Sequence, residues 1–196
     1  MPQKIEFLFD FASPTTYLAH QRLAGIAERT GAEFEYIPVF LGGVMHATNN
    51  TPPGTVPAKG AYLLKDLQRY AQRDGVTLNF NPHFPVNTMA VLRMAVALKE
   101  DPRFLEFINT VFNAMWREPK NMADPEVIGA VLTEAGFDAA ALAAKTQDQD
   151  IKDQLKANTE YAVSKGAFGA PTFLVGEEMF FGQDRTDWVE TYAAKG

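Results

Sequence analysis

The chain has 196 residues, 46% of them hydrophobic, a formal net charge of -6 at pH 7 and no cysteine. That length can bury a sizeable core, and the acidic balance argues against a nucleic-acid partner, whose phosphates recruit clustered Lys and Arg. With no cysteine, disulfides, thiolate metal sites, a cysteine nucleophile and a C-x-x-C redox centre are all excluded, so any thiol chemistry must use a thiol brought in from outside.

The N-terminus, MPQKIEFLFDF, lacks the apolar core and cleavage site of a signal peptide. No apolar run approaches the roughly 20 residues that span a bilayer, so the sequence reads as cytoplasmic, with no membrane partner. IEFLF (5–9) suits a buried strand. Residues 14–29 carry Tyr17, Leu18, Ala24 and Ile26 at helical spacing before a stop at Gly31, and EFEYIPV (33–39) reads as a second strand. Strand, helix and strand make a right-handed βαβ unit with parallel strands. Residues 41–60 hold four Gly and three Pro and read as a long loop.

From about 61 to 165 the signals are helical: residues 62–75, residues 87–100, a helix entered at Asp101-Pro102, another entered at Asp124-Pro125 and stopped at Gly136, and a last one marked by Ile151, Leu155, Ala162 and Val163. The aromatic and Met stripes of this block read as core, with Phe40, Met45, Phe84, Phe112 and Trp116 as candidate walls of an apolar pocket. After GAFGAP the pattern returns to strand. TFLV (172–175), Gly176-Glu177 and EMFF (178–181) predict a β-hairpin, and a final helix runs through Trp188 and Tyr192.

Three stretches hold residues with chemical potential. In FDFASPTTYLA (9–19), Ser13 followed by Pro14 fits a helix start, because Ser accepts from a first-turn N–H and Pro has no N–H to orphan. The same helix terminus favours an anion, and a thiolate is one; the Ser13 hydroxyl could donate to it and lower the pKa of an incoming thiol. A serine-hydrolase reading has little behind it: Ser13 has no G-x-S-x-G setting, and His20, His46 and His83 show neither a spacing that marks a base nor the H-E-x-x-H of a zinc site. In GAFGAPTFLV (166–175), a proline at the mouth of an apolar strand is a candidate cis residue that exposes the backbone of Ala170 for pairing with an extended ligand. In FFGQDR (180–185), Gly182 allows a sharp turn, Gln183 and Asp184 sit where a helix start meets a carboxylate or an ammonium, and Arg185 adds positive charge.

These stretches, in this order around a helical block, resemble the α/β thioredoxin-like fold of the DsbA type, in which a helical domain is inserted into a βαβ…ββα scaffold. The resemblance implies a thioredoxin-like domain from 1–60 and 166–196 and an inserted helical domain from 61–165. Where redox-active members open the first helix with C-x-x-C, this chain has Ser13-Pro14-Thr15-Thr16. The chain is more closely similar to the 2-hydroxychromene-2-carboxylate isomerases and kappa-class glutathione transferases, through DFASPTTYLA, the LGG at 41–43, NTPPGTVPAKGAYLLKDLQRYA (50–71), NPHFPVNTMAVLR (81–93), GAFGAPTFLV and FFGQDR.

That resemblance implies glutathione as cofactor, with Ser13 activating its thiol and Ala170, before Pro171, pairing with its cysteinyl part. Gln183 and Asp184, in the segment of Phe181, Gly182 and Arg185, would hold the γ-glutamyl end. Asn50 and Lys59 would reach the glycyl carboxylate or the substrate, a small aromatic carboxylate for which Phe84 is a further contact. A homodimer is implied as well. The family often has an aromatic residue and then Ser after Ser-Pro; Thr15 and Thr16 here make the expected substrate-facing surface smaller and more polar.

Overall fold

The computed structural model describes residues 2–194. Lys4–Phe9 forms β1, and Ile5, Phe7, Leu8 and Phe9 are fully buried in it, the continuous apolar run that a central strand covered on both faces requires. It pairs in parallel with β2 (Glu33–Pro38) after the helix α1 (Pro14–Thr30), and antiparallel with β3 (Thr172–Val175), which turns through Gly176 at φ 62° into the antiparallel β4 (Glu178–Phe181). The sheet order is β2-β1-β3-β4.

Between β2 and β3 lie α2 (Leu41–Ala47), α3 (Pro57–Asp74), α4 (Met89–Ala97), α5 (Phe104–Phe112), α6 (Pro125–Glu134), α7 (Ala139–Lys145) and α8 (Gln149–Ser164); α9 (Thr186–Ala193) follows β4. This is the thioredoxin fold with a helical insertion.

The period-2 geometry of β1 sorts its side chains between two cores. Phe7 and Phe9 stack with each other and Phe7 stacks on Phe173, joining the large cluster that includes Leu18, Leu23, Phe107 and Phe112. Leu8 points the other way, to Val39, Val44, Ala162 and Leu174 beneath α8. Helix α9 is fastened to α1 by Arg22, which donates to Thr186 and pairs with Asp187, and by Arg29, whose guanidinium meets Glu190 at 2.6 and 2.9 Å.

Two segments differ from the sequence expectation. The stretch 41–60 is not a loop: it holds α2, a 3-10 turn at Pro53–Thr55 and the start of α3 at Pro57, ahead of the boundary expected at 61. The two glycines of α2 serve close packing, since a Cβ on Gly42 would lie 2.9 Å from the Phe40 ring, and one on Gly43 would lie 3.2 Å from both Phe40 and Thr159. At Asp101-Pro102 the helix starts later, at Phe104; Asp101 makes a turn first, its carboxylate accepting from the Arg103 N–H and its carbonyl from Phe104. Phe112 and Trp116 are fully buried members of the core, as the reading of this block's aromatic stripes as core expects. Asp124 likewise caps α6 as expected, accepting from the Glu126 N–H at 2.9 Å.

One buried carboxylate organises the end of β1. Asp10 accepts from the Ala12 N–H at 2.9 Å, from the Leu41 N–H at the start of α2 at 2.8 Å, and from the Thr88 hydroxyl just before α4 at 2.6 Å. Burial raises its carboxyl pKa above the ordinary value, and these donors oppose that rise. We predict that Asp10→Ala, which strands all three donors, lowers unfolding free energy in denaturant titrations by about 2–4 kcal/mol.

A buried imidazole gives the fold a pH dependence. His20 meets the Tyr36 hydroxyl at 2.9 Å and the Asn109 side-chain oxygen at 2.8 Å, stacks on Phe112, and has its pKa lowered, mainly by burial. The unfolded chain therefore takes up the proton first as pH falls below the ordinary histidine value of 6.5, so stability declines through that window down to the depressed folded value. Denaturation midpoints measured between pH 7.5 and about 5 should fall with pH in the natural chain, and this component of the slope should vanish in His20→Phe.

Candidate active site

The site is built at the point where β1 ends and α1 begins. Ser13, in extended conformation at φ -97° and ψ 116°, is the N-cap of α1, and Pro14 is the first helical residue. The Ser13 Oγ accepts from the Thr16 N–H at 3.1 Å, as a cap should, and donates to the carbonyl of Ala170 at 3.0 Å. Ala170 is joined to Pro171 by a cis peptide bond, and its hydrogen bond with Ser13 places the GAFGAP segment against the start of α1. With Pro14 lacking a donor and the Thr16 N–H capped, the Thr15 N–H is the first donor at the positive end of α1 without a partner among the described residues.

Thr15 and Thr16 part company. Thr16 is fully buried and its hydroxyl has no partner among the described residues, so it belongs to the core and not to the expected substrate-facing surface. Thr15 is half-buried, and its Oγ1 lies 2.7 Å from the Ser13 Oγ and 3.3 Å from the Ala170 carbonyl.

The 168–171 segment also gathers the other site candidates. Asn50 donates its side-chain amide to the Phe168 carbonyl at 2.8 Å. The Phe168 ring packs on the Phe181 ring at 4.5 Å between centroids, over Gly169, where a Cβ would sit 2.7 Å from Phe181. Gly182 donates its N–H to the Pro171 carbonyl at 2.9 Å; it holds φ 100° and ψ 155°, a conformation open to glycine, and a Cβ there would lie 2.6 Å from the Asp184 carboxylate. Gln183 is buried, and its carbonyl accepts from the Thr186 hydroxyl. The half-exposed Asp184 pairs with Arg185, and burial, followed by the Asp184 charge, raises the pKa of Tyr70 on α3.

Lys59 stands exposed on the first turn of α3, with no ion pair among the described residues. Phe84 belongs to the helical block: its exposed ring lies 5.2 Å from Phe80 and 6.3 Å from Trp116, and the Trp116 indole N–H donates to the Phe11 carbonyl at 2.8 Å, two residues before Ser13. Asn81 pins this turn, donating to the carbonyls of Met115 and Lys120 and accepting from the His83 N–H. A separate cavity of about 670 Å³, lined by Phe40, Met89, Arg93, Leu155 and Thr159, lies between α2, α4 and α8 and includes none of these site candidates.

Sequence reasoning missed Asp10, Phe80, Asn81 and Phe168. Asp10 carried a signal, an acidic residue closing an apolar strand and followed by another Phe; the others are ordinary members of turns until the fold supplies their neighbours.

A family model described as the DSBA-like thioredoxin domain matches residues 4–194. The 2-hydroxychromene-2-carboxylate isomerase of Pseudomonas putida is 32% identical over 190 residues, covering 95% of this chain and 92% of that protein. Human glutathione S-transferase kappa 1 is 27% identical, covering 95% and 88%. The solved structure of a selenomethionine 2-hydroxychromene-2-carboxylate isomerase superposes with a TM-score of 0.89 at 29% identity, over 98% of this chain and 95% of that one. Fold and sequence thus agree: the chain belongs to the DSBA-like thioredoxin family, alongside the 2-hydroxychromene-2-carboxylate isomerases and kappa-class glutathione transferases.

Proposed function

We propose that this protein is a glutathione-dependent isomerase of aromatic, 2-hydroxychromene-2-carboxylate-type substrates. The observation that carries the reading is the Ser13 hydroxyl, held at the start of α1 and donating to the backbone of Ala170 beside cis-Pro171, in a chain without cysteine. A helix terminus, a hydroxyl donor and the Ala170 backbone beside them suit an external, cysteine-containing peptide whose thiol is to be ionised. Named relatives support the same chemistry: isomerases of this substrate and glutathione transferases.

Under this reading the residues divide their work. Ser13 and the Thr15 N–H stabilise the anionic sulfur, lowering the thiol pKa. The Ala170 backbone fixes the cysteinyl unit, Gln183 and Asp184 orient the γ-glutamyl end, and Asn50 with Lys59 meets the glycyl or substrate carboxylate. Phe84, with Phe80 beside it, offers an aromatic face to the substrate ring and keeps water from it. Glutathione, when bound, supplies a thiolate nucleophile that adds to the substrate and departs unchanged.

A kappa-type transferase or peroxidase is the second reading, favoured by the 27% identity to the human kappa enzyme. Incubation with glutathione and a chromene carboxylate separates the two. The isomerase reading expects many turnovers at constant glutathione concentration; stoichiometric loss of glutathione assigns the transferase reading, and the absence of glutathione binding in calorimetry rejects both.

Ser13→Ala is expected to raise the pKa of bound glutathione, followed by thiolate absorbance, and to lower the isomerisation rate at neutral pH. It should lose only about 1 kcal/mol of stability as a missing cap. An unchanged thiolate absorbance and rate would leave Ser13 with a structural role alone.

A further inference from the structure

We propose that Thr15 is a positioning residue that makes Ser13 a one-way hydrogen-bond donor to the thiolate. The inference rests on the glutathione reading and adds to it a residue that the cradle alone does not require.

A serine hydroxyl has one proton and two acceptor lone pairs. At Ser13 one lone pair is taken by the Thr16 N–H, at 3.1 Å. The Thr15 Oγ1, at 2.7 Å, is the group placed to fill the second. With both lone pairs engaged, Ser13 can act outward only through its proton, and in the free protein that proton goes to the Ala170 carbonyl at 3.0 Å. Thr15 reaches the same carbonyl at 3.3 Å. The three oxygens therefore form a closed triangle carrying two protons.

Binding of a cysteinyl backbone along Ala170 brings a new donor to that carbonyl. Ser13 then turns its proton from the Ala170 oxygen to the sulfur, while Thr15 continues to donate to the Ser13 oxygen. No proton is transferred between residues; one hydrogen bond changes acceptor. A hydroxyl that itself accepts a hydrogen bond donates more strongly, so Thr15 sharpens both the direction and the strength of the contact to sulfur. Valine at this position would keep the branched shape and remove the donor, leaving the second lone pair of Ser13 open to water or to a ligand N–H.

The test is a pH titration of the thiolate absorbance of bound glutathione in the natural chain and in Thr15→Val, Thr15→Ala, Thr15→Ser and Ser13→Ala, with glutathione affinity measured by calorimetry at a pH where the thiol is protonated. Thr15→Val and Thr15→Ala are expected to raise the midpoint by about 0.5–1 pH unit, the equivalent of one neutral hydrogen bond, with affinity for the protonated form preserved; Thr15→Ser restores the natural midpoint. If Ser13→Ala raises the midpoint while Thr15→Val and Thr15→Ala leave it in place, Thr15 does not position Ser13 and the inference is overturned, with the glutathione reading intact. If Ser13→Ala also leaves the midpoint in place, the activation by Ser13 falls and this inference falls with it.

Discussion

The carboxylate of Asp10 is the constraint on which the site depends. A buried carboxylate is costly in a low-dielectric interior unless its oxygens are met by donors. Here the donors are the Ala12 N–H, the Leu41 N–H and the Thr88 hydroxyl, so satisfying one charge draws together the turn before Ser13, the start of α2 and the approach to α4. The loop from β1 to α1 is fixed at its first residues, and Ser13 follows three positions on, with its own N–H donating to the Asp10 carbonyl. The requirement for donors thus becomes a positional device for the Ser13 hydroxyl.

With that loop fixed, the choice between a capping and a chemical role for Ser13 dissolves. Capping uses a lone pair of Oγ; activating a thiol uses its proton. The two demands fall on different parts of one hydroxyl, and the observed bonds, inward from the Thr16 N–H and outward to the Ala170 carbonyl, have this division already in place. A residue that helix formation would select anyway is thereby also poised as a donor at the positive end of α1.

The βαβ…ββα order, the caps at Ser13 and Asp124, the Gly31 stop at φ 72° and the hairpin at Gly176 were legible in the sequence because each is decided by residues within one turn of each other. Distant partners decided what was not legible. Helix α2 starts where a carboxylate 31 positions away accepts its first N–H, and its glycines pack a ring instead of loosening the chain. Asp101-Pro102 has the composition of a helix start, but its carboxylate closes a turn one step earlier. Thr15 and Thr16 look alike in the sequence; helix phase and the neighbouring core send one hydroxyl to Ser13 and bury the other. For the proposed glutathione cradle, the order of short motifs was the signal, since none of those stretches alone distinguishes a cap or an edge proline from a ligand contact.

The two halves of the proposed site come from different parts of the chain, and their chemistry differs accordingly. The sheet and its hairpin contribute the polar half: the Ala170 backbone, Gln183, Asp184 and the Arg185 beside it. The helical block contributes the aromatic half: Phe80 and Phe84 over the buried Trp116. What couples them is the Trp116 indole, which spans 105 positions to donate to the Phe11 carbonyl, inside the loop that Asp10 fixes. Since Phe11 is also packed against Phe112 at 4.9 Å, the aromatic half is referenced to the same loop by packing as well as by hydrogen bonding. A reaction that needs a peptide thiol on one side and an apolar ring on the other requires a fixed separation between the two. A buried tryptophan, fully enclosed and with its single donor satisfied, is a rigid spacer for that purpose.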